Sequence, residues 1–382
     1  MGGAHAHSHS HAHGHGFGDG HHHGLASRVV LGLVMACLVA AIVGMAVLWP
    51  GRSAIDALRS SQTLFAPGTT FVDGTITKLS GDSAAVDLSK GDIVNVDLPP
   101  SVVAAGVSVG SKIKVATVAD PSGAPMYSYY AVHRSTPLWI LFAVFAGLLL
   151  VIGRLRGLMA LIGLAIAGLA VWYFVLPALV SGSNAAIVTL CACTIILAVV
   201  LYSTHGFSVW TSIALLGTLA GAAITVVLAT WVTSSAHLTG IANDDGLTLS
   251  SMAPHFDPQS VLVATSIIAA VGVLNDVTVT QASAVAQLRV ASPTMTRFAL
   301  WRSGMAIGRD HIGSAVYTIV FAYVGGSIVS LMLLNAFDQP LLGLMGSEDL
   351  VEEIARVLVA SIGLILAVPL TTALAAVSAV ES

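Results

Sequence analysis

Two acidic residues set among apolar neighbours carry most of the chemistry this 382-residue chain offers. Asp276 stands in QSVLVATSIIAAVGVLNDVTVTQASAVAQL, roughly 17 residues or ~25 Å of helix from the start of that run. A carboxylate so deep in hydrocarbon costs at least ~2.5 to 3.5 kcal/mol on insertion scales unless it is protonated, paired or hydrated. Intramembrane acids mark ion, proton or substrate paths more often than purely structural carboxyls, so Asp276 is read as an ion-pathway group, with Asn275 beside it. On a helix Asp276 shares a face with Gly272, Thr280 and Ser283, a small polar stripe that suits close packing or a wet cavity. Gly272 and the β-branched residues after Asp276 predict a local break that would free carbonyls for an ion. Thr278 and Gln281 read as interhelical glue before they read as a polar shell.

The next apolar run opens with GRDHIGS, which brings Arg309, Asp310 and His311 into the membrane. Asp310 either pairs with Arg309 or reaches toward Asp276. Equally, Arg309 and Asp310 neutralise a helix start at the interface, as charges at span ends commonly do. The loop residues His237, Asp244, Asp245, His255 and Asp257 match no defined metal spacing and read as a solvated loop.

A second chemical signal is compositional. Residues 1–27 alternate histidine with Gly, Ala and Ser: His5, His7, His9, His11, His13 and His15, then His21, His22 and His23. Neutral imidazoles in this pattern chelate Zn²⁺, Ni²⁺, Co²⁺ or Cu²⁺ without choosing among them. The tail gathers a transition metal at the mouth of a transporter, senses pH, or is dispensable; composition leaves all three open. It cannot bury enough apolar surface to offset backbone entropy, so it is expected to be disordered and cytoplasmic.

The elements that must position these residues follow from composition. Hydrophobic residues make up 56% of the chain and charged ones 9%, with a mean hydropathy of +0.89, so lipid is the solvent for most of it. A net charge of −4 with scattered basic residues excludes a nucleic-acid footprint. Cys37, Cys191 and Cys193 all fall in apolar runs, so no disulfide framework is expected.

Apolar runs lie at about 29–48, 137–153, 157–179, 184–203, 208–233, 259–288, 308–335 and 352–378, which predicts an all-α polytopic membrane bundle of about eight transmembrane helices. The first helix is expected over 28–49 and the other seven over 137–380. Between them, residues 51–135 carry β-prone runs such as TFVDGTITKL, AAVDLS, DIVNVDL and KIKVATV separated by turn signals. They predict an inserted extracytoplasmic β-barrel or sandwich of roughly five strands, OB-like in type. A cytoplasmic amino terminus puts Arg154, Arg156, Arg289, Arg297, Arg302 and Arg309 on the inner side, in keeping with the positive-inside rule. In the inner loop, Ser292 as cap and Pro293 at the first helical position predict a short connecting helix along the interface.

Three stretches together resemble the YibE/F family of bacterial multi-span membrane proteins: YYAVHRSTPLWILF, VGVLNDVTVTQAS and SGMAIGRDHIGSAVYTIVFAYVGGS. The resemblance covers roughly residues 60–380 and leaves the histidine tail outside. It implies a transporter or permease of the cytoplasmic membrane. It also implies that Asp276 occupies the family's acidic position in the sixth span and that Gly308, Arg309 and Asp310 form its GRD element. Asn275 and His311 depart from the apolar neighbours common in relatives.

No Walker loop, HExxH, GxSxG or dinucleotide fingerprint is present, so no enzyme activity and no primary pump is expected. Secondary transport of a small solute or metal cation through Asp276, Asn275, Thr280, Arg309, Asp310 and His311 is the leading expectation. Its rival is a receptor or assembly factor whose outer β-domain binds a partner. A membrane aspartyl hydrolase using Asp276 and Asp310 would need the two carboxyls within a few ångströms. Lipid is the expected surroundings, a small ion or solute the expected ligand, and a homo-oligomer an admissible assembly.

Overall fold

A backbone in lipid must satisfy its own N–H and C=O groups, and the apolar runs do so as long helices. The computed structural model describes residues 25–51, 68–88, 91–119, 125–241, 244–253, 255–336, 343 and 346–379. The histidine tail through His23, with its expected disorder and metal binding, lies outside the described residues.

The first helix, α1, spans Leu25–Val47, slightly ahead of the expected 28–49. Five strands follow: β1 Thr70–Ser80, β2 Ser83–Leu88, β3 Ile93–Asp97, β4 Lys112–Ala119 and β5 Pro125–Val132, with a short helix α2, Pro100–Ala104, between β3 and β4. Then come α3 Ser135–Ala170, a π-turn at Val171–Val175, α4 Leu176–Val180, α5 Ala185–His205, α6 Val209–Ser235 and α7 Asp244–Met252. The chain continues through α8 Pro258–Ala291, α9 Arg297–Gly326, α10 Ile328–Ala336 and α11 Glu348–Ser378. Among the described residues six helical stretches are long and apolar enough to cross a membrane, and α9 with α10, bent by 63°, makes a seventh if the pair is one span. The chain is therefore a membrane protein.

Two compact units partition the chain, Met1–Ala40 with His205–Val232 and Ser266–Ser382 forming one, and Ala41–Thr204 with Thr233–Thr265 the other. The second holds the sheet, whose order is β3-β2-β1-β4-β5 with every pairing antiparallel. Gly81, at φ 62°, turns the chain between β1 and β2 in the left-handed region that glycine tolerates best. Alternation puts Ala84, Val86 and Leu88 inward with Ile76, Val96, Ile113 and Val115. The edge strands β3 and β5 approach one another, so the sheet curls into a half-barrel around that core.

In the same unit α3 is interrupted at Arg154, whose φ of 50° and ψ of −129° are not helical. A Cβ on Gly157 would collide with the carbonyl oxygen of Leu149. Residues that far apart on a straight helix lie ~12 Å from each other along the axis, so the chain doubles back here. Past the turn, Gly163 lets this helix press against Val200 of α5, where a Cβ would lie 2.8 Å from that side chain. Phe174, Val175 and Ala178 pack with Val188 and Ala192 into a second core, and Trp49 stacks on Phe174 at 5.5 Å.

The other unit is knit by small residues and hydroxyls. Gly217 of α6 lies against Thr371 of α11, and Gly221 leaves room for Leu274 of α8 and Ala367 of α11. Thr218 and Thr278 share a hydrogen bond of 2.6 Å between α6 and α8. Close backbone approach and interhelical hydrogen bonds are the packing forces left when lipid is as apolar as the side chains.

Candidate functional site

Asp257 holds the start of α8 by accepting from the Gln259 backbone N–H at 3.2 Å and from the Ser260 hydroxyl at 2.5 Å, ahead of Pro258 at the first turn. From there the helix runs unbroken to Ala291, so the expected local break near Gly272 is absent. Each backbone N–H from Gly272 onward keeps its place in the helical ladder, and no carbonyl is released for an ion. Asp276 stands about 27 Å from Pro258 and about 22 Å from Ala291 at the helical rise, in the middle third of the helix.

After α8 the chain turns through Ser292 and Pro293, and the Arg289 guanidinium donates to the Met295 carbonyl at 3.0 Å. The N-cap of α9 is Thr296, whose hydroxyl accepts from the Ala299 N–H at 3.3 Å. Ser292 is therefore not the cap, and no separate interfacial helix forms. Pro293 falls in the turn, and Met295, Phe298 and Trp301 belong to the connection and first turns of α9 itself. Arg309 and Asp310 consequently lie ~18 Å along that helix rather than at its start.

Gln281 sets the register between α8 and α9. It is 1% exposed, and its side-chain amide donates to the Gly304 carbonyl at 2.8 Å and to the Thr372 hydroxyl at 2.7 Å. A Cβ at Gly304 would lie 2.8 Å from Thr372, and one at Gly308 would lie 2.6 Å from Val368. Both glycines let α9 close on α8 and α11. Gln281 and Thr278 are thus interhelical ties, as their residue types suggested.

With that antiparallel register, His311 arrives opposite Asp276. A groove of about 130 Å³ is lined by Val273, Asp276, Val277 and Thr280 of α8 and by His311, Ser314, Ala315 and Thr318 of α9. Asp276 is exposed along it. Three hydroxyls of the groove spend their protons on their own helices: Thr280 donates to the Asp276 carbonyl at 2.8 Å, Ser314 to the His311 carbonyl at 3.1 Å and Thr318 to the Ser314 carbonyl at 3.0 Å. What they present to the groove is oxygen lone pairs. Added to the Asp276 carboxylate, this makes an acceptor-rich lining that suits a cation or a proton donor and opposes an anion.

The structure thus brings Asp276, Thr280 and His311 together. Asn275 points elsewhere: its Oδ1 is buried without a hydrogen-bond partner among the described residues. Arg309 and Asp310 are exposed on the neighbouring strip of α9, do not line the groove, and form no ion pair with each other among the described residues. No cluster of three or more His, Cys, Asp or Glu side chains able to hold a metal occurs among the described residues.

A profile of the YibE/F-like protein family matches residues 141–381. The chain belongs to that family. The match takes in α5 to α11 and most of α3, and so includes the groove and the Gln281 junction; α1 and the sheet lie outside it. No curated protein and no solved structure matches the chain.

One ionisable group of this YibE/F-like protein escaped the sequence reading. Glu352 in the first turns of α11 is 7% exposed. Next to it Glu353 pairs with Arg356, and Asp349 accepts from Ser330 of α10 at 3.0 Å. The signal was an acid and an arginine one helical turn apart inside an apolar run, which is unusual enough in lipid to deserve notice. A second cleft, about 270 Å³, lies among Gly182, Ser183, Asn184, Asp257 and Ser260. Asp257 there serves as a helix cap.

Proposed function

We propose that this protein is a secondary carrier of the bacterial cytoplasmic membrane that moves a small solute or metal cation, coupled to a proton or another ion. The observation that carries the reading is the groove between α8 and α9, where a mid-helix carboxylate, an imidazole and three acceptor hydroxyls meet in an open cleft. An acid placed there for structure alone would have its carboxyl sealed and hydrogen-bonded; among the described residues the Asp276 carboxyl is neither. In this reading Asp276 binds and releases the coupling ion or proton, His311 exchanges a proton with it, and Thr280, Ser314 and Thr318 complete the coordination of a partly dehydrated cation.

Eight spans fit the geometry. The stretch Ser135–Val180 has 46 residues, ~69 Å if straight and more than twice the ~30 Å of hydrocarbon, and its reversal at Arg154 divides it into two crossings. With the amino terminus in the cytoplasm, the turn at Arg154 and Arg156 and the turn between α8 and α9 carry their arginines on the inner side.

The test is flux in proteoliposomes, with protons and with Zn²⁺, Ni²⁺, Co²⁺ and Cu²⁺ followed by entrapped indicators. Asp276→Asn is expected to lower flux at least tenfold while leaving the helical circular dichroism intact. Unaltered flux over a range of pH would remove Asp276 from the mechanism.

A second reading, a receptor or assembly factor, draws on the sheet. The antiparallel half-barrel, with β3 and β5 approaching and a helix between β3 and β4, supports reading it as an OB-like, partly open barrel. OB barrels bind ligands on their open face, and a carrier needs no such module. Wild-type protein that carries nothing in liposomes, yet loses its cellular role when residues 68–132 are replaced by a flexible linker, would favour this reading.

A further inference from the structure

We infer that a second copy of this chain covers the exposed face of α8 and α9. Along α8 the exposed positions Gly272, Asp276, Ser283 and Gln287 recur at helical spacing with Ile268 and Val290, and along α9 Arg302, Arg309, Asp310, Gly313, Ser314 and Tyr317 recur with Phe298 and Phe321. A helix face turned to lipid is apolar, and charges on one are rare, expensive and paired. Here Arg309 and Asp310 sit at the depth of Asp276, side by side on α9 and unpaired among the described residues. Neighbours in sequence diverge by about 100° around a helix, so they cannot satisfy each other.

Charge identifies the occupant. The face holds Arg302 and Arg309 against Asp276 and Asp310, opposite signs in equal number. A patch of that kind is complementary to itself, whereas a partner of one sign would leave the other uncompensated. Two copies inserted in the same sense are related by a two-fold axis along the membrane normal. At the crossing point Arg309 of each copy meets Asp310 of the other, giving two reciprocal ion pairs in a low-dielectric setting.

The backbone permits the approach. A Cβ added at Gly272 or Gly313 would meet nothing within 4 Å, so neither glycine is used for packing inside the chain. Small residues at a helix face let a second helix come close. The inference rests on charge and exposure, and it stands whether or not the groove carries an ion.

The experiment uses the full chain in native membrane vesicles, with Cys37, Cys191 and Cys193 replaced by serine. Gly313→Cys treated with a short bismaleimide is expected to give a species of twice the chain mass, and Phe142→Cys on α3 is expected to give none. Arg309→Asp and Asp310→Arg are each expected to cut the cross-linked fraction at least tenfold, and the double exchange to restore it to within twofold of the parent. Single-molecule photobleaching of the unmodified chain, which needs no variant, is expected to show two steps. A single step, a double exchange as poor as the single ones, or cross-linking only to a different polypeptide would overturn the inference.

Discussion

The exposed face of α3 over residues 138–142 is wholly apolar, whereas the exposed face of α8 and α9 sets charged and polar residues among apolar ones. On α3, Leu138, Trp139, Ile140, Leu141 and Phe142 are all open, Leu141 at 65%, with Val151 and Ile152 more open still. On α8 and α9 the open positions include Gly272, Asp276, Ser283, Arg309, Asp310 and Ser314, interspersed with the apolar Ile268, Val290, Phe298, Tyr317 and Phe321. The stretch that holds α3 and the helix α8 are each long and apolar enough to span, and α9 is so together with α10. The first face is comfortable in hydrocarbon, whereas the charges of the second are costly there unless paired or hydrated. Equal exposure therefore means lipid in one place and water or protein in the other, and the residue types say which.

The largest expected effect breaks this contrast directly. Phe142→Arg places a charge on a lipid face and should cost ~2.5 to 3.5 kcal/mol, read as loss of folded, inserted protein in a fluorescence-detected sizing assay. Ser314→Arg, on the polar face one helical turn from Asp310, should lose less folded chain than Phe142→Arg does. If both variants are lost alike, the two faces share a solvent and the comparison fails.

Next comes the packing behind the polar face. Gly308→Val forces a side chain into Val368 and Gln281, an overpacking expected to cost about 1 to 3 kcal/mol and to lower the apparent melting temperature in detergent. Val273 and Ala315 line the groove without such a squeeze, so Ala315→Ser should melt as the parent does.

A smaller loss is expected at the junction itself. Gln281→Leu removes two hydrogen bonds, and intramembrane hydrogen bonds are worth ~0.6 kcal/mol each on average, so denaturation in mixed micelles should shift by roughly 1 kcal/mol. A shift of several kcal/mol would mean that Gln281 does more than tie helices. The smallest change belongs to the lipid face, where Leu141→Ala removes no partner and should stay within about 0.5 kcal/mol.

Much of the architecture was legible because hydropathy and lipid impose it. Apolar runs became helices, and alternation over 70–118 became strands paired in register. Errors arose where a local signal met a competing one. Gly272 and the β-branched residues suggested a break, yet the helical ladder is the only satisfied state for a backbone in lipid, and α8 stays whole. Ser292 and Thr296 are both capping residues, and Pro293 decides between them by sitting in the turn. That shift of the helix start carries Arg309 and Asp310 from the first turn of α9 into its interior.

From the residues alone came a membrane protein with long apolar helices, an inserted β-domain and one acid too deep to ignore, since each depends on a run of side chains read along the chain. Helix phase and register came only with the tertiary structure, because they depend on which glycine accepts which neighbour. Gln281 between Gly304 and Thr372 settles that register, and with it that His311, not Asp310, faces Asp276 across the groove.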